Sequence, residues 1–292
     1  MSALKLCVGG HIVAVSGASA CFFERYPGCR PFLIAEGVAD WEVRYDVALR
    51  PLAEEQVLSR FAVAESGAQC CFGRSGDCYR FAMRDGEGRL LVDMQHATGS
   101  RCVEATACCD ATALRFSLWF ALSMLMPGAG CSFVHSSTVV WRGRAVMFLG
   151  ESGTGKSTHS RLWMQHIEGT HLLNDDSPIL SVGDGGDGPV RVYGSPWSGK
   201  TPCYRAADYE LAAVVRLSQG ADNSMRRLRT VEGFAALQPS LPPALMQDVD
   251  FADDLIAILT RTLAAVPFYH LQCRPDAEAA LLCHKTVFNS EE

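Results

Sequence analysis

The stretch Gly150-Glu-Ser-Gly-Thr-Gly-Lys-Ser157 holds the residues best suited to chemistry. It matches G-x-x-x-x-G-K-[ST], with the apolar run Ala145–Leu149 before it and a helix-like run, His159 to Gln165, after it. Gly150, Gly153 and Gly155 let the backbone curl so that successive N–H groups point into one concavity that suits phosphate oxygens. The following helix adds its unsatisfied N-terminal donors and the positive end of its dipole. Lys156 can reach β- and γ-phosphates, and the Ser157 hydroxyl can ligate Mg²⁺. The predicted nucleotide-binding set is therefore Gly150, Glu151, Ser152, Gly153, Thr154, Gly155, Lys156, Ser157 and Thr158, with ATP and Mg²⁺ as ligands.

Some twenty residues on, Asn174-Asp175-Asp176 follows Leu172-Leu173 at the end of an apolar run. Two adjacent carboxylates there divide naturally: one holds Mg²⁺ with Ser157, the other accepts a proton from an attacking hydroxyl. A helix cap or turn would use the same residues. Next comes Tyr193-Gly-Ser-Pro-Trp-Ser-Gly-Lys-Thr-Pro-Cys-Tyr-Arg205, a glycine- and proline-punctuated loop. Lys200 and Arg205 in it either neutralise charge on a transferring phosphoryl group or are simply solvated. Trp197 either stacks on a ligand or pins the loop to the core. His135, in Phe133-Val-His-Ser-Ser137, lies on the predicted strand before the phosphate-loop strand, and Arg161 on the loop's helix faces phosphate or solvent.

These groups need elements to hold them. Up to about residue 108 the chain holds short β-like runs: Leu4–Val15, Trp41–Val47, Tyr79–Met83 and Arg89–Met94. Asp85-Gly-Glu-Gly88 reads as a hairpin connection between the last two. Ala111–Met126 is a predicted helix, and Phe133–Trp141 and Arg144–Leu149 are predicted strands paired around Arg142-Gly143. Further strands are expected at Leu172–Leu173, Ile179–Val182, Val190–Tyr193, Leu211–Leu217 and Phe268–Cys273. Phe251–Val266 is a predicted amphipathic helix opened by Asp253 and Asp254, and Pro275-Asp276 starts a last one. Strand and helix signals alternate only partly. The expected fold class is therefore α/β of mixed α+β character, with a mixed sheet. The expected division is a β-rich N-terminal region, 1–108, and a nucleotide-binding catalytic domain, 109–292.

Composition narrows the classes. The 292 residues, 48% hydrophobic, can bury one large core or two smaller ones. A net charge of −6 disfavours a nucleic-acid partner. The longest apolar run, Phe116–Met126, is too short to span a bilayer and ends at Pro127-Gly128, so it reads as a buried helix and no membrane partner is expected. Near the start, Lys5 and Ala18-Ser-Ala-Cys21 loosely imitate a signal peptide, but Gly9-Gly10-His11 interrupts the apolar segment. The thirteen cysteines are odd in number, include two adjacent pairs and contain no C-x-x-C. Reduced, mostly buried thiols in a cytoplasm are the simplest account.

The order His135, Gly-Glu-Ser-Gly-Thr-Gly-Lys-Ser, Asp175-Asp176, Arg205 resembles the catalytic domain of HPr kinase/phosphorylase, a family structurally similar to the phosphoenolpyruvate carboxykinases. A small HPr-kinase-like branch looks most similar, through Gly153-Thr-Gly-Lys-Ser-Thr-His-Ser-Arg-Leu-Trp163, Leu173-Asn-Asp-Asp176 and Gly194-Ser-Pro-Trp-Ser-Gly-Lys-Thr-Pro-Cys203. The resemblance covers roughly residues 130 to 285. It implies a P-loop kinase domain of HPr kinase/carboxykinase type. His135 and Lys156 would sit beside the phosphate site, Arg205 would touch phosphate, and Lys200 belongs to the small branch's own motif. Asp175 would be the general base and Asp176, with Ser157, the metal ligand, or the reverse.

The implied activity is an ATP- and Mg-dependent transfer of the γ-phosphoryl group to a hydroxyl, a serine of a peptide or protein or a small molecule. The resemblance also leaves room for a homo-oligomer. The chain departs from the family in two places. It has no recognisable HPr-docking segment, and the histidine and basic metal-ligand set and arginine clamp of a carboxykinase are not identifiable. A carboxykinase-like lyase is thus weaker than a kinase. A nucleotide-binding sensor without catalysis is the other alternative, disfavoured because a pure binder needs no base.

Overall fold

Gly9 and Gly10 both take positive φ (64° and 86°), the conformation of a tight hairpin turn. The run expected as one short strand is therefore two, β1 (Leu4–Val8) and β2 (His11–Ser16), paired antiparallel. The computed structural model describes residues 3–64, 66–183, 188–199 and 201–288. Lys200 lies outside the described residues. Two units are formed, residues through Gly128 with Ala244–Ala252, and Ala129–Pro243 with the chain from Asp253 on.

In the first unit β1 and β2 are followed by α1 (Ala20–Arg25), β3 (Leu33–Ile34), β4 (Trp41–Tyr45), β5 (Gln56–Ala62), β6 (Gln69–Ser75), β7 (Cys78–Arg84), β8 (Leu90–Ala97), β9 (Cys102–Ala107) and α2 (Ala111–Leu125). The strands form one mixed sheet in the order β3-β1-β2-β4-β9-β8-β7-β6-β5, with β4 parallel to β2 and β9. Asp110 caps α2, its carboxylate accepting from the Ala113 N–H at 2.7 Å. The helix packs on β4, β8 and β9. Phe120 lies 4.1 Å from Phe81, centroid to centroid, and Ser117 Oγ is 2.7 Å from Tyr45 Oη. The boundary expected at 108/109 therefore falls after Gly128, because α2 is part of this unit's core.

Ala244–Ala252 returns to the same unit. There the buried Asp248 accepts from Tyr79 Oη at 2.7 Å and Arg74 Nη1 at 3.2 Å.

The second unit holds β10 (Cys131–Phe133), β11 (Ser136–Trp141), β12 (Arg144–Leu149), α3 (Lys156–His166), β13 (His171–Asp176), β14 (Ile179–Ser181), β15 (Arg191–Tyr193), β16 (Asp208–Gln219), β17 (Ser224–Arg227), α4 (Thr230–Leu237), α5 (Val249–Ala265), β18 (Phe268–Cys273) and α6 (Ala277–Phe288). α5 begins within the returning segment of the first unit. The sheet order is β10-β14-β15-β16-β12-β11-β13, with β18 also on β16 and β17 on β18. β12 and β18 run parallel to β16 and the other pairs are antiparallel, so this sheet too is mixed. One face buries Val139, Val146, Phe148, Val215 and Leu271 against Trp163, Cys283 and Val287 of α3 and α6. The fold class is mixed α+β, with two mixed sheets.

Several expected boundaries move. The strand expected over Phe133–Trp141 is broken at Val134-His135, because β10 pairs with β14 whereas β11 pairs with β12 and β13. The acids at the start of α5 are Asp248 and Asp250 rather than Asp253 and Asp254. Pro275 precedes α6, and Asp276 caps it through the Ala279 N–H at 3.0 Å. All thirteen cysteines are free, but only Cys29, Cys70, Cys78, Cys131 and Cys283 are buried, fewer than expected. Among the described residues no helix is long and apolar enough to cross a membrane, which leaves a β-barrel unaddressed.

Candidate functional site

β12 is buried from Ala145 to Leu149 and ends at Gly150, where the chain turns out of the sheet. Gly150, Gly153 and Gly155 have φ of 154°, 83° and 109°, backbone that side chains disfavour. Gly155 is the N-cap of α3, and the loop closes on itself through Thr154 Oγ1, which donates to Glu151 O at 2.7 Å. Gln219, at the end of β16, donates to Gly153 O at 3.2 Å and ties the loop to the sheet. Glu151, Ser152, Gly153 and Ser157 are exposed, while Thr154, Gly155, Lys156 and Thr158 are half-buried. The predicted phosphate loop thus has strand, glycine turn and helix in the required order.

α3 is seated by its buried side. His159 accepts from Trp163 Nε1 at 3.1 Å and packs edge-on against Phe148, and Ser160 Oγ lies 2.6 Å from Ser137 Oγ on β11. Burial pushes the His159 pKa down to about 4, so it is a neutral packing group. Arg161 donates to Thr158 Oγ1 at 3.3 Å.

β13 brings in the carboxylates. Antiparallel pairing sets Asp175 opposite Ser137 and Asp176 opposite Ser136, so the two point to opposite faces of the sheet. Asp175 lies on the α3 face, where the Ser157 hydroxyl donates to its Oδ1 at 3.0 Å. Asp175 is only 6% exposed, and among the described residues Ser157 is its one side-chain hydrogen-bond donor. A buried carboxylate so sparsely compensated suits a cation. Asp176 is more open, accepts from Ser177 Oγ at 2.9 Å and stands 3.6 Å from His135 Nδ1.

Lys156 joins the two halves. Its Nζ donates to Gly150 O at 2.8 Å, to Glu151 O at 3.3 Å and to His135 Nε2 at 3.0 Å. An ammonium has no lone pair to accept with, so Nε2 is the acceptor and neutral His135 carries its proton on Nδ1, toward Asp176. Burial and then the Lys156 charge hold the His135 pKa below its usual value, while Asp176 and Asp175 pull it up. Burial also lowers the Lys156 pKa, against the same two carboxylates. With His135 neutral, one cation faces two anions, a balance that one Mg²⁺ would reverse. Among the described residues no group of three His, Cys, Asp or Glu side chains can hold a metal. Ser157 and Asp175 therefore fit Mg²⁺ only in the manner of a site completed by waters and nucleotide phosphates.

Sequence reasoning missed the bracket around the carboxylates. Asn174 is fully buried, donates to Trp197 O at 2.8 Å and Ser195 Oγ at 3.3 Å, and accepts from the Ser177 N–H at 2.9 Å. Gly199 donates its N–H to Asp175 O at 2.7 Å, and a Cβ there would stand 2.9 Å from the same oxygen. Small residues at 195 and 199 were the available signal. Trp197 is buried edge-on against Phe133, so it pins the loop to the core.

Arg205 does not join the cluster. It is exposed, and its charge bears on the Cys203 thiol and on His171. His171 opens β13, on the order of 13 Å along the strand from Asp175. The remaining feature is a cavity of about 420 Å³. It lies beside the loop between Gly153, Gly155, Thr158, Gln219, Arg274 and Pro275. No protein-family model matches this chain, and no curated protein sequence matches it either.

Proposed function

We propose that the second unit is an ATP- and Mg²⁺-dependent phosphotransferase of the HPr kinase/carboxykinase type, acting on an acceptor hydroxyl. The observation that carries this reading is the 3.0 Å hydrogen bond from Ser157, at the phosphate loop, to the buried Asp175, with Lys156, His135 and Asp176 in contact alongside. A loop that merely turned a chain would not need a half-buried lysine and two carboxylates around its mouth.

The contacts favour a division of labour opposite to the first one implied by the resemblance. Asp175 and Ser157 hold the metal, which when bound supplies charge neutralisation on the phosphates. Loop N–H groups and the start of α3 bind phosphate oxygens, and Lys156 turns from Gly150 O to meet them. The cavity beside Arg274 takes the nucleoside end. Asp176, more exposed, accepts the proton of the acceptor hydroxyl as the acceptor oxygen bonds to the γ-phosphorus and the bond to the bridging oxygen of ADP breaks. His135, its Nδ1–H toward Asp176, positions that carboxylate, and the proton leaves the half-exposed Asp176 to solvent.

The test is ³¹P NMR of the protein with Mg-ATP and free serine, serine peptides, glycerate and glycerol, comparing wild type with Asp176→Asn and Lys156→Ala. A new phosphate-ester signal, lost in both variants, is expected. Nucleotide binding with no ester from any acceptor would instead leave a sensor.

A further inference from the structure

A row of cationic side chains crosses the second unit's sheet beside the phosphate loop. In register, Arg216 of β16 pairs with His270 of β18, and His270 pairs with Arg226 of β17. Their strand neighbours Val215, Leu217, Tyr269 and Leu271 lie in the core under α3 and α6, so the row faces the other way. On that face α4 covers the preceding row: a Cβ on Gly233 would stand 3.3 Å from Phe268, two residues before His270. Parallel pairing of Arg216 with Leu149 places the row level with the residue before Gly150. That is the carboxyl end of the parallel strands, where ligands of open α/β sheets bind.

The charges along the row are unevenly matched. Arg226 is held by Glu232 at 3.0 Å, and His270 Nε2 shares a hydrogen bond with Ser218 Oγ at 2.9 Å. Arg216, with only 34% of its side chain exposed, has Glu151 as its nearest carboxylate among the described residues. That contact is 3.9 Å long, beyond hydrogen-bond reach, and made by a side chain 89% exposed. A half-buried arginine with no carboxylate within hydrogen-bond distance among the described residues is open to an anion from outside. The His270 ring, lowered in pKa by burial and by both flanking arginines, reports the positive field in which that anion would sit.

We propose that Arg216, with His270 beside it, is the subsite for an anionic group of the phosphoryl acceptor, a carboxylate or a phosphate ester. The acceptor is then a small hydroxy acid or a phosphorylated alcohol, not a neutral alcohol. This rests on the phosphotransferase reading above. Arg216 is a binding residue for the acceptor's far end, on the strand next to β12 and three strands from β13, so the reacting hydroxyl lies between it and Asp176.

Two probes of the shared chemistry, inorganic phosphate and malonate, are titrated calorimetrically into the full chain saturated with the magnesium complex of a non-hydrolysable ATP analogue. Saturable binding of at least one probe is expected, weakened tenfold or more by Arg216→Gln and restored by Arg216→Lys. Arg227→Gln, on the opposite face, should leave it unchanged, and Arg216→Gln should bind the analogue within twofold of wild type. Equal probe affinity in wild type and Arg216→Gln, or no saturable binding of either probe, overturns the proposal. So does a tenfold loss of analogue affinity in Arg216→Gln, which would assign the arginine to the nucleotide. If the wild type does not bind the analogue, the phosphotransferase reading fails separately. The probe titration is then run on Lys156→Ala with and without Arg216→Gln, where the same comparison decides the subsite.

Discussion

Replacing Asp176 by Asn should lower the pKa of His135 further. The carboxylate stands 3.6 Å from Nδ1 and favours the imidazolium. At that distance two unit charges interact by about 1 kcal/mol in water-like surroundings and about 5 kcal/mol at an effective dielectric near 20. The His135 side chain is 50% exposed and Asp176 39%, so screening keeps the interaction near the lower figure, about 1–1.5 kcal/mol. Asp175→Asn should move His135 in the same direction but less, because Asp175 is the weaker of the two influences, and should instead weaken the Mg²⁺-dependent part of ATP binding. The assay is a ¹H–¹³C titration of the histidine Cε1–H signals, with His135 assigned among the eight by His135→Asn. No fall in the His135 pKa in Asp176→Asn, or a larger fall in Asp175→Asn, would refute the placement of Asp176 against Nδ1 on which the proposed base rests.

Other expectations concern stability, read by urea unfolding. His159 has a folded pKa of about 4 against an ordinary 6.5 and is 3% exposed. It should contribute about 3 kcal/mol that is fully present above pH 6.5 and lost as pH falls through 4, a loss absent in His159→Gln, whose amide oxygen still accepts from Trp163. Gly194→Ala places a Cβ 2.0 Å from Arg205 O, a backbone atom, and should destabilise by about 1–3 kcal/mol. Asp248→Ala removes the shorter acceptor of the Tyr79 hydroxyl and one of two carboxylates on Arg74, leaving both with Asp250, and should destabilise by about 1–2 kcal/mol, with Asp248→Asn closer to wild type.

The glycine turn between β12 and α3 was legible because its glycines do a backbone task that composition cannot hide, and the pair of carboxylates near it because two adjacent aspartates after Leu172-Leu173 are unusual. That β13 runs on through Asn174, Asp175 and Asp176 was not legible, since these residues disfavour strands; pairing with Ser136–Thr138 overrides the preference. β5 was missed because its side chains are largely exposed or half-exposed, leaving no apolar alternation to read. β6 hides behind Cys70-Cys71 and Gly73, and β9 behind small alanines. Arg205 was placed by motif order alone, and order says nothing about which end of β13 a loop passes. The contact of His135 with Lys156, 21 residues apart, depends on a break between two strands whose partners lie in different parts of the sheet.

The return of Ala244–Ala252 to the first unit has a consequence for synthesis. Tyr79 and Arg74 emerge from the ribosome early, yet their acceptor Asp248 follows 169 and 174 residues later. Meanwhile the nascent chain delivers the phosphate loop, β13 and β16 of the other unit. The N-terminal sheet must therefore wait, a tyrosine hydroxyl and a guanidinium lacking their carboxylate, until residue 248 has been made. Premature release before residue 248 would leave that sheet unfinished rather than merely shorten the protein, so truncated products should be open to proteolysis in both halves at once.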